Sequence, residues 1–295
     1  MKILSFDIEE WYIEKQFNGN HSERYREFDN YLCSILDILD HCNVKATFFC
    51  LGKVATDFPY VVKAIASRGH EIGCHSNEHL WLTKMTPAQL RADTHDALAA
   101  LQDVIGEKVV SYRAPAFSIG EGNKWALEIL AEEGIEKDAS IFPAKRDFGG
   151  FASFPTSKPV IIASGDLSIK EFPICLTSVM GKQFAFSGGG YFRFFPYSFI
   201  NSRINSNNYG MTYFHIDDLM YKKGRLMTRS EYENYFREDG SLKNRVLRYL
   251  KSNVGTKGAF DKMYSLIRNN AFINLKEADT IVDWSKSGTI MLENL

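Results

Sequence analysis

No stretch of this 295-residue chain approaches the run of about 18 apolar residues that a membrane-spanning helix requires. The short apolar run at the N-terminus is broken by Asp7, far too early for the core of a signal peptide. Basic excess is also missing. The net charge is -1, which leaves nothing to neutralise a phosphate backbone and argues against a nucleic-acid partner. Cysteine pairing is equally absent: Cys33, Cys42, Cys50, Cys74 and Cys175 are odd in number and form no C-x-x-C. That excludes a disulfide framework and suits a reducing compartment, so a cytoplasmic address is expected. There is no internal repeat, low-complexity tract or clear linker, and one elaborated domain over residues 1–295 is the simplest reading.

Hydrophobic residues make up 45% of the chain, ample for a packed core. Their periodicity alternates through the first half. Strands are expected at 2–8, 45–51, 70–75 and 108–112, and helices at 29–41, 54–68, 86–105 and 122–133. Thr86-Pro87 reads as an N-cap and first helical residue, and Gly69 and Gly134 as helix ends. Strand then helix, repeated, predicts parallel strands with helices outside, either an open sheet or a barrel. Beyond residue 140 the pattern loosens. A long loop is expected over 142–157, short strands within 158–174, a helix over 196–206 and a buried strand at 210–216. Charged helices should fill 220–270, followed by a short strand and tail.

The chemistry begins with Asp7 and Glu9 in S-F-D-I-E-E-W. Residues two apart on a strand face the same way, so both acids project from the strand's C-terminal end, where parallel α/β folds keep their active sites. Two acids there are costly unless they are paired or bind a metal. His75 and His79 follow the third strand in C-H-S-N-E-H, at a spacing that two ligands of one ion can use. Glu9 with the two histidines makes three protein ligands, a catalytic rather than structural count. Cys74 should face away. Arg113, in R-A-P-A-F, follows the fourth strand, and an Arg beside Asp7 would keep that acid ionised and oriented. Asp138 and His215 end later apolar segments. A carboxylate beside His215 would favour its proton-donating form, though spacing alone does not pair the two. His21, His41, His70 and His95 carry no partner pattern and read as surface or structural residues.

In this order the motifs resemble the polysaccharide deacetylase family (NodB homology, carbohydrate esterase 4) over roughly residues 1–220. The phrases D-I-E-E-W-Y, H-S-N-E-H, R-A-P-A-F-S, E-F-P-I and G-G-G-Y-F-R-F-F-P-Y resemble its exopolysaccharide-locus branch. The resemblance implies a distorted (β/α) barrel of about seven parallel strands, with 221–295 as a helical C-terminal elaboration. It implies a hydrolase that removes N-acetyl groups from an amino-sugar polysaccharide or glycan precursor and releases acetate. Asp7 would be the general base, held by Arg113. Glu9, His75 and His79 would hold a divalent metal, with zinc the default among several ions. The Ala116 N–H would help bind the oxyanion, and Asp138 would tune His215 as general acid. Trp11, Tyr12, Tyr191 and Arg193 would line the sugar groove. Many members have adjacent Asp residues in the first motif, whereas here Ile8 intervenes and the ligand becomes Glu9. The branch's His-Pro-Trp-Glu is here His215-Ile216-Asp217-Asp218, which leaves the shape of the acetyl pocket open. Other readings are a metal-free hydrolase of small cyclic amides on the same fold, an Fe(II) oxygenase using the same ligand set, and a non-catalytic carbohydrate-binding descendant.

Overall fold

The structure, a computed structural model, describes residues 1–145, 149–179, 181–221, 224–236 and 238–295. Its first half is built as the periodicity predicts. Strands β1 (Ser5–Ile8), β2 (Thr47–Cys50), β3 (Glu71–Cys74), β4 (Ser111–Tyr112) and β5 (Lys137–Asp138) alternate with helices. The helices are α1 (Glu10–Phe17), α2 (Ser22–His41), α3 (Gly52–Asp57), α4 (Pro59–Ser67), α5 (Pro87–Ile105) and α6 (Ala126–Glu132). The helix expected at 54–68 is split into α3 and α4. Phe58 sits between them at φ -135, ψ 53, because Pro59 disfavours helical backbone in the residue before it. Helix α5 starts at a complete capping box between Thr86 and Gln89, and ends at left-handed Gly106.

The second half adds the hairpin β6 (Val160–Ser164) and β7 (Leu167–Glu171), then α7 (Gly189–Phe194), α8 (Tyr197–Ser206) and β8 (Phe214–His215). The chain ends with α9 (Ile216–Leu219), α10 (Arg229–Phe236), α11 (Leu242–Asn253), α12 (Ala259–Arg268), α13 (Leu275–Ile281) and β9 (Thr289–Met291). The loop expected at 142–157 includes residues 146–148, and the helical stretch expected at 220–270 includes 222, 223 and 237. Those positions lie outside the described residues.

The main sheet runs β8-β1-β2-β3-β4-β5-β7-β6-β9. The first seven strands in that order are parallel, matching the expected number. Antiparallel β6 and then β9 extend it. Two edge strands remain among the described residues, so the barrel is distorted to the point of being open. The strand expected at 210–216 is divided. Gly210–Met211 pairs with Lys2–Ile3, and β8 pairs with β1. Between them the Ser5 N–H donates to Thr212 Oγ1 at 2.9 Å, a side-chain bond in place of a ladder bond.

The sheet's core joins the two halves. Phe6 stacks on Phe48 at 4.9 Å and contacts Phe214, which meets Phe192 edge-on at 4.7 Å. Gly73 in β3 is required by the neighbouring strand β2, since a Cβ there would lie 2.5 Å from the Phe49 ring. Parallel register brings the ends of distant strands level. His215 is opposite Asp7, and Cys74 is opposite Tyr112. The residues at or just after the strand ends (Asp7, His75, Arg113, Asp138, His215) therefore gather at one edge of the sheet.

His70, expected to be structural, is buried against Phe48 and accepts the Ala46 N–H on Nδ1 at 3.3 Å. Burial pushes its imidazole from 6.5 down to about 4, and Lys45 adds to the effect. Between those values the unfolded chain binds a proton that the folded chain does not. Stability is therefore lost as pH falls through this window. Urea unfolding across the window should show wild type losing stability faster than His70→Gln. Parallel losses would mean that burial of His70 is not the cause.

Candidate active site

Asp7 is the third residue of β1 and is buried. Its Oδ1 accepts from Arg113 Nη1 at 2.7 Å, and Arg113 is fully buried. The guanidinium lies 4.2 Å above the Phe49 ring, and its Nε donates to the Ala139 carbonyl at 3.3 Å. The other Asp7 oxygen, Oδ2, faces His215 Nε2 at 3.7 Å. Glu9 lies just past the strand, at the N-cap of α1, with Oε1 3.8 Å from the same His215 nitrogen. Asp7 and Glu9 both face the His215 ring, although Glu9 has already left the strand.

His75 leaves β3 with its Nδ1 2.7 Å from the Arg113 carbonyl. A carbonyl only accepts, so Nδ1 carries the proton and Nε2 is left as a ligand atom, 3.5 Å from Glu9 Oε2. The chain then turns sharply. Ser76 and His79 both take left-handed backbone, at φ 71 and φ 59, and the His79 N–H donates to Ser76 Oγ at 3.0 Å. This costly conformation aims His79 Nε2 back at Glu9 Oε2, 2.6 Å away. The His-x-x-x-His spacing is thus realised on a strained loop rather than a helix.

Ligand atoms of Glu9, His75 and His79 lie within 4.8 Å of one another. Glu9 Oε2 is buried and receives no well-directed N–H, although both imidazoles face it. A tetrahedral ion about 2.1 Å from each ligand would space them roughly 3.4 Å apart, close to the His75–Glu9 separation. The donor set therefore fits a divalent cation. Burial opposes ionisation of Glu9, but His79, His215 and His75 together hold its carboxyl well below the usual range. Cys74 is not among the converging ligand atoms, and burial pushes its thiol up.

The expected Asp138–His215 pairing is corrected by the structure. His215 Nδ1 is 3.0 Å from Asp218 Oδ2, and Arg193 Nη1 holds Asp218 Oδ1 at 2.7 Å. Burial works against the imidazolium, but Glu9, Asp218 and Asp7 outweigh it and hold His215 well above its ordinary pKa. Asp218 sits one turn beyond His215, at i+3, so the local spacing was the signal that could have found it. Asp138 is occupied elsewhere. Its Oδ1 accepts from Ser140 Oγ at 2.5 Å, and Ser140 Oγ accepts the Ala114 N–H at 2.8 Å. Asp138 thus braces the turn carrying Ala116, whose backbone is left-handed at φ 54, ψ 18. Burial raises Asp138 and, further, its neighbour Glu171.

Asp7, Glu9, His79, Ala116 and His215 border a cleft of about 1140 Å³. Of the expected groove residues, Tyr191 lines it and is 44% exposed. Trp11 does not, being fully buried with Nε1 donating to Asp29 at 3.1 Å. Tyr12 is buried as well, and is not among the cleft's lining residues. Arg193 reaches the cleft but is engaged by Asp218. Asp217, standing where the branch has Trp, turns to Arg24 and to Glu10, whose Oε1 accepts its N–H at 3.0 Å.

Replacing Arg113 with Met would strand the buried Asp7 charge. Unfolding experiments should register a loss of about 3–5 kcal/mol, the usual cost of breaking a buried pair. A loss below about 1 kcal/mol would mean that the pair is not a structural element.

Residues 23–136 match the family model described as polysaccharide deacetylase, and residues 139–279 match a domain of unknown function, DUF3473. A Bacillus cereus peptidoglycan-N-acetylglucosamine deacetylase is 41% identical over 95 residues, covering 32% of this chain and 34% of its own. A Bacillus subtilis peptidoglycan-N-acetylmuramic acid deacetylase is 32% identical over 104 residues, covering 33% and 40% respectively. The match thus spans little more than a third of these relatives' length. A crystal structure of a Mycobacterium smegmatis protein assigned to the polysaccharide deacetylases superposes with a TM-score of 0.62 at 19% identity. That superposition covers 97% of this chain and 90% of the other, and so shares the fold across almost the whole length. Residues 23–136 thus match the polysaccharide deacetylase family model, and the chain shares the fold of the Mycobacterium smegmatis protein over almost its whole length.

Proposed function

We propose that this chain is a metal-dependent hydrolase that removes N-acetyl groups from an amino-sugar polysaccharide or glycan precursor and releases acetate. The observation that carries the reading is the meeting of two separately held groups. Asp7, tied through Oδ1 to Arg113, and His215, tied through Nδ1 to Asp218, face each other across 3.7 Å beside three converging metal-ligand atoms. Residues 1–295 act as a single unit in this reading, because one sheet takes strands from both matched regions.

Glu9, His75 and His79 would hold the ion, with zinc the first choice for two imidazoles and a carboxylate. When bound, a divalent ion supplies Lewis acidity and makes water a stronger acid. Asp7 Oδ2 accepts the proton of the attacking water, while Arg113 keeps the carboxylate from rotating away. His215 Nε2 delivers a proton to the leaving amine, which an amide needs because its nitrogen leaves poorly unprotonated. Asp218 and Arg193 keep that imidazole charged and aimed. Ala116 lines the cleft, and its backbone N–H would be the donor to the oxyanion. Tyr191 offers a ring to the sugar. Relatives named as peptidoglycan deacetylases support an N-acetylated glycan as substrate. The second matched region is typical of exopolysaccharide-locus deacetylases, which supports a secreted polysaccharide or its precursor as that glycan.

The test is acetate release from a panel of N-acetylated oligosaccharides, using protein of measured metal content. Chelation should abolish release and added zinc restore it. Asp7→Asn should keep the metal and lower kcat by about 10²–10⁴. His79→Ala should weaken zinc binding by at least roughly tenfold in a direct titration. Acetate release by metal-free protein, or undiminished turnover by Asp7→Asn, would overturn the proposal.

A further inference from the structure

Helix α11 is amphipathic in the reverse of the usual sense. Leu242, Val246, Leu247 and Leu250 recur at helical spacing and are exposed, Leu242 by 60% and Leu250 by 49%. Val254, just past the helix end, continues the stripe. The protein-facing side is polar. Arg245 donates from Nε to the Gly240 carbonyl at 3.1 Å and from Nη1 to the Met227 carbonyl at 3.0 Å. Asn244 Nδ2 donates to the Asp239 carbonyl at 2.9 Å. These bonds lock the apolar face outward. A polar inner face and an apolar outer one costs free energy in water, so the outer face is built to be covered.

The charge of the segment points to what covers it. Residues 220–257 hold ten lysines and arginines against four acids, a local charge of +6. With the whole chain at -1, the rest carries -7. Helix α11 itself contains four basic residues and no acid. Exposed leucines and valines in a basic segment match an anionic lipid interface, where apolar side chains enter the headgroup boundary and cations meet phosphate. A second copy fits less well, since a two-fold contact would bring two segments of +6 together. The stripe is also continuous with the cleft. Leu250 and Val254 line it, as do the exposed Phe17, Tyr191 and Phe194.

We propose that the apolar face of α11 docks this protein onto an anionic membrane surface. Docking there sets the cleft beside the lipid plane. If the hydrolase reading holds, the site is then within reach of glycans held at that surface. The docking itself does not rest on that reading.

The experiment is co-sedimentation with vesicles of equal parts phosphatidylglycerol and phosphatidylcholine, against vesicles of phosphatidylcholine alone. Wild type should bind the anionic vesicles, and binding should weaken as salt is raised. The double variant Leu242→Glu, Leu247→Glu alters exposed side chains outside the cleft. It should keep its circular dichroism spectrum and unfolding midpoint and lose about tenfold or more in vesicle affinity. Lys243→Glu should reduce the preference for anionic lipid. Failure of wild type to bind either vesicle would overturn the proposal, as would undiminished binding by the double variant. A wild-type dimer that the double variant converts to monomer, with no vesicle binding, would assign the face to a second copy instead and equally overturn it.

Discussion

The Arg113–Asp7 pair is the constraint on which the site depends. Two opposite charges are buried at 2.7 Å, and neither can be removed without stranding the other. Arg113 acts through its main chain as well, because its carbonyl fixes the tautomer of His75 and turns Nε2 towards Glu9. One residue after β4 therefore orients both a carboxylate and an imidazole that faces Glu9. Phe49 beneath the guanidinium and Gly73 beside Phe49 extend the dependence into the sheet, since a side chain at 73 would push that ring. The preparation for chemistry is thus continuous with ordinary strand packing.

The opposite wall follows the same logic with different parts. Asp218 orients His215, and Arg193 from α7 holds Asp218. Asp7, His75 and His215 are thus each braced by a second group: Arg113, the Arg113 carbonyl and Asp218. The arrangement limits rotation where a small angular error would separate proton donor from acceptor. It also balances charge in a buried place. Asp7, Glu9 and Asp218 are opposed by Arg113, Arg193 and the His215 imidazolium. Asp138, expected in this role, instead braces the turn at Ala114 through Ser140.

Much of this was legible in the sequence, for identifiable reasons. Alternating periodicity located β1 to β4, and two-residue spacing suggested that Asp7 and Glu9 lie together, because both follow from local backbone geometry. His75 and His79 were visible as a spacing, although their loop geometry was not: nothing in S-N-E announces left-handed backbone at Ser76 and His79. The Asp138 expectation failed because pairing between segments 77 residues apart depends on strand order, whereas Asp218 was only three residues away. Trp11 and Tyr12 were misplaced because a strand-to-loop position looks the same in sequence whether α1 turns its rings inward or toward the cleft. The helical face of α11 was hidden inside a segment that reads simply as charged, since its apolar residues point the wrong way for a core.

The topology also bears on how the two matched regions relate. The polysaccharide deacetylase match begins at residue 23 and ends at 136, so it contains His75, His79 and Arg113 but neither Asp7, Glu9 nor His215. The region matched as a domain of unknown function contributes His215, Asp218 and Arg193. It also supplies β8, which pairs with β1 at the register that sets His215 opposite Asp7. At the other seam, β5 bridges β4 and β7 across the boundary between the matches. A fragment ending near residue 136 would therefore lose the edge strand beside β1, expose the Asp7 side of the sheet and leave Asp7 without the His215 ring that faces it. The second region thus completes both the sheet and the cluster of charged groups at its edge.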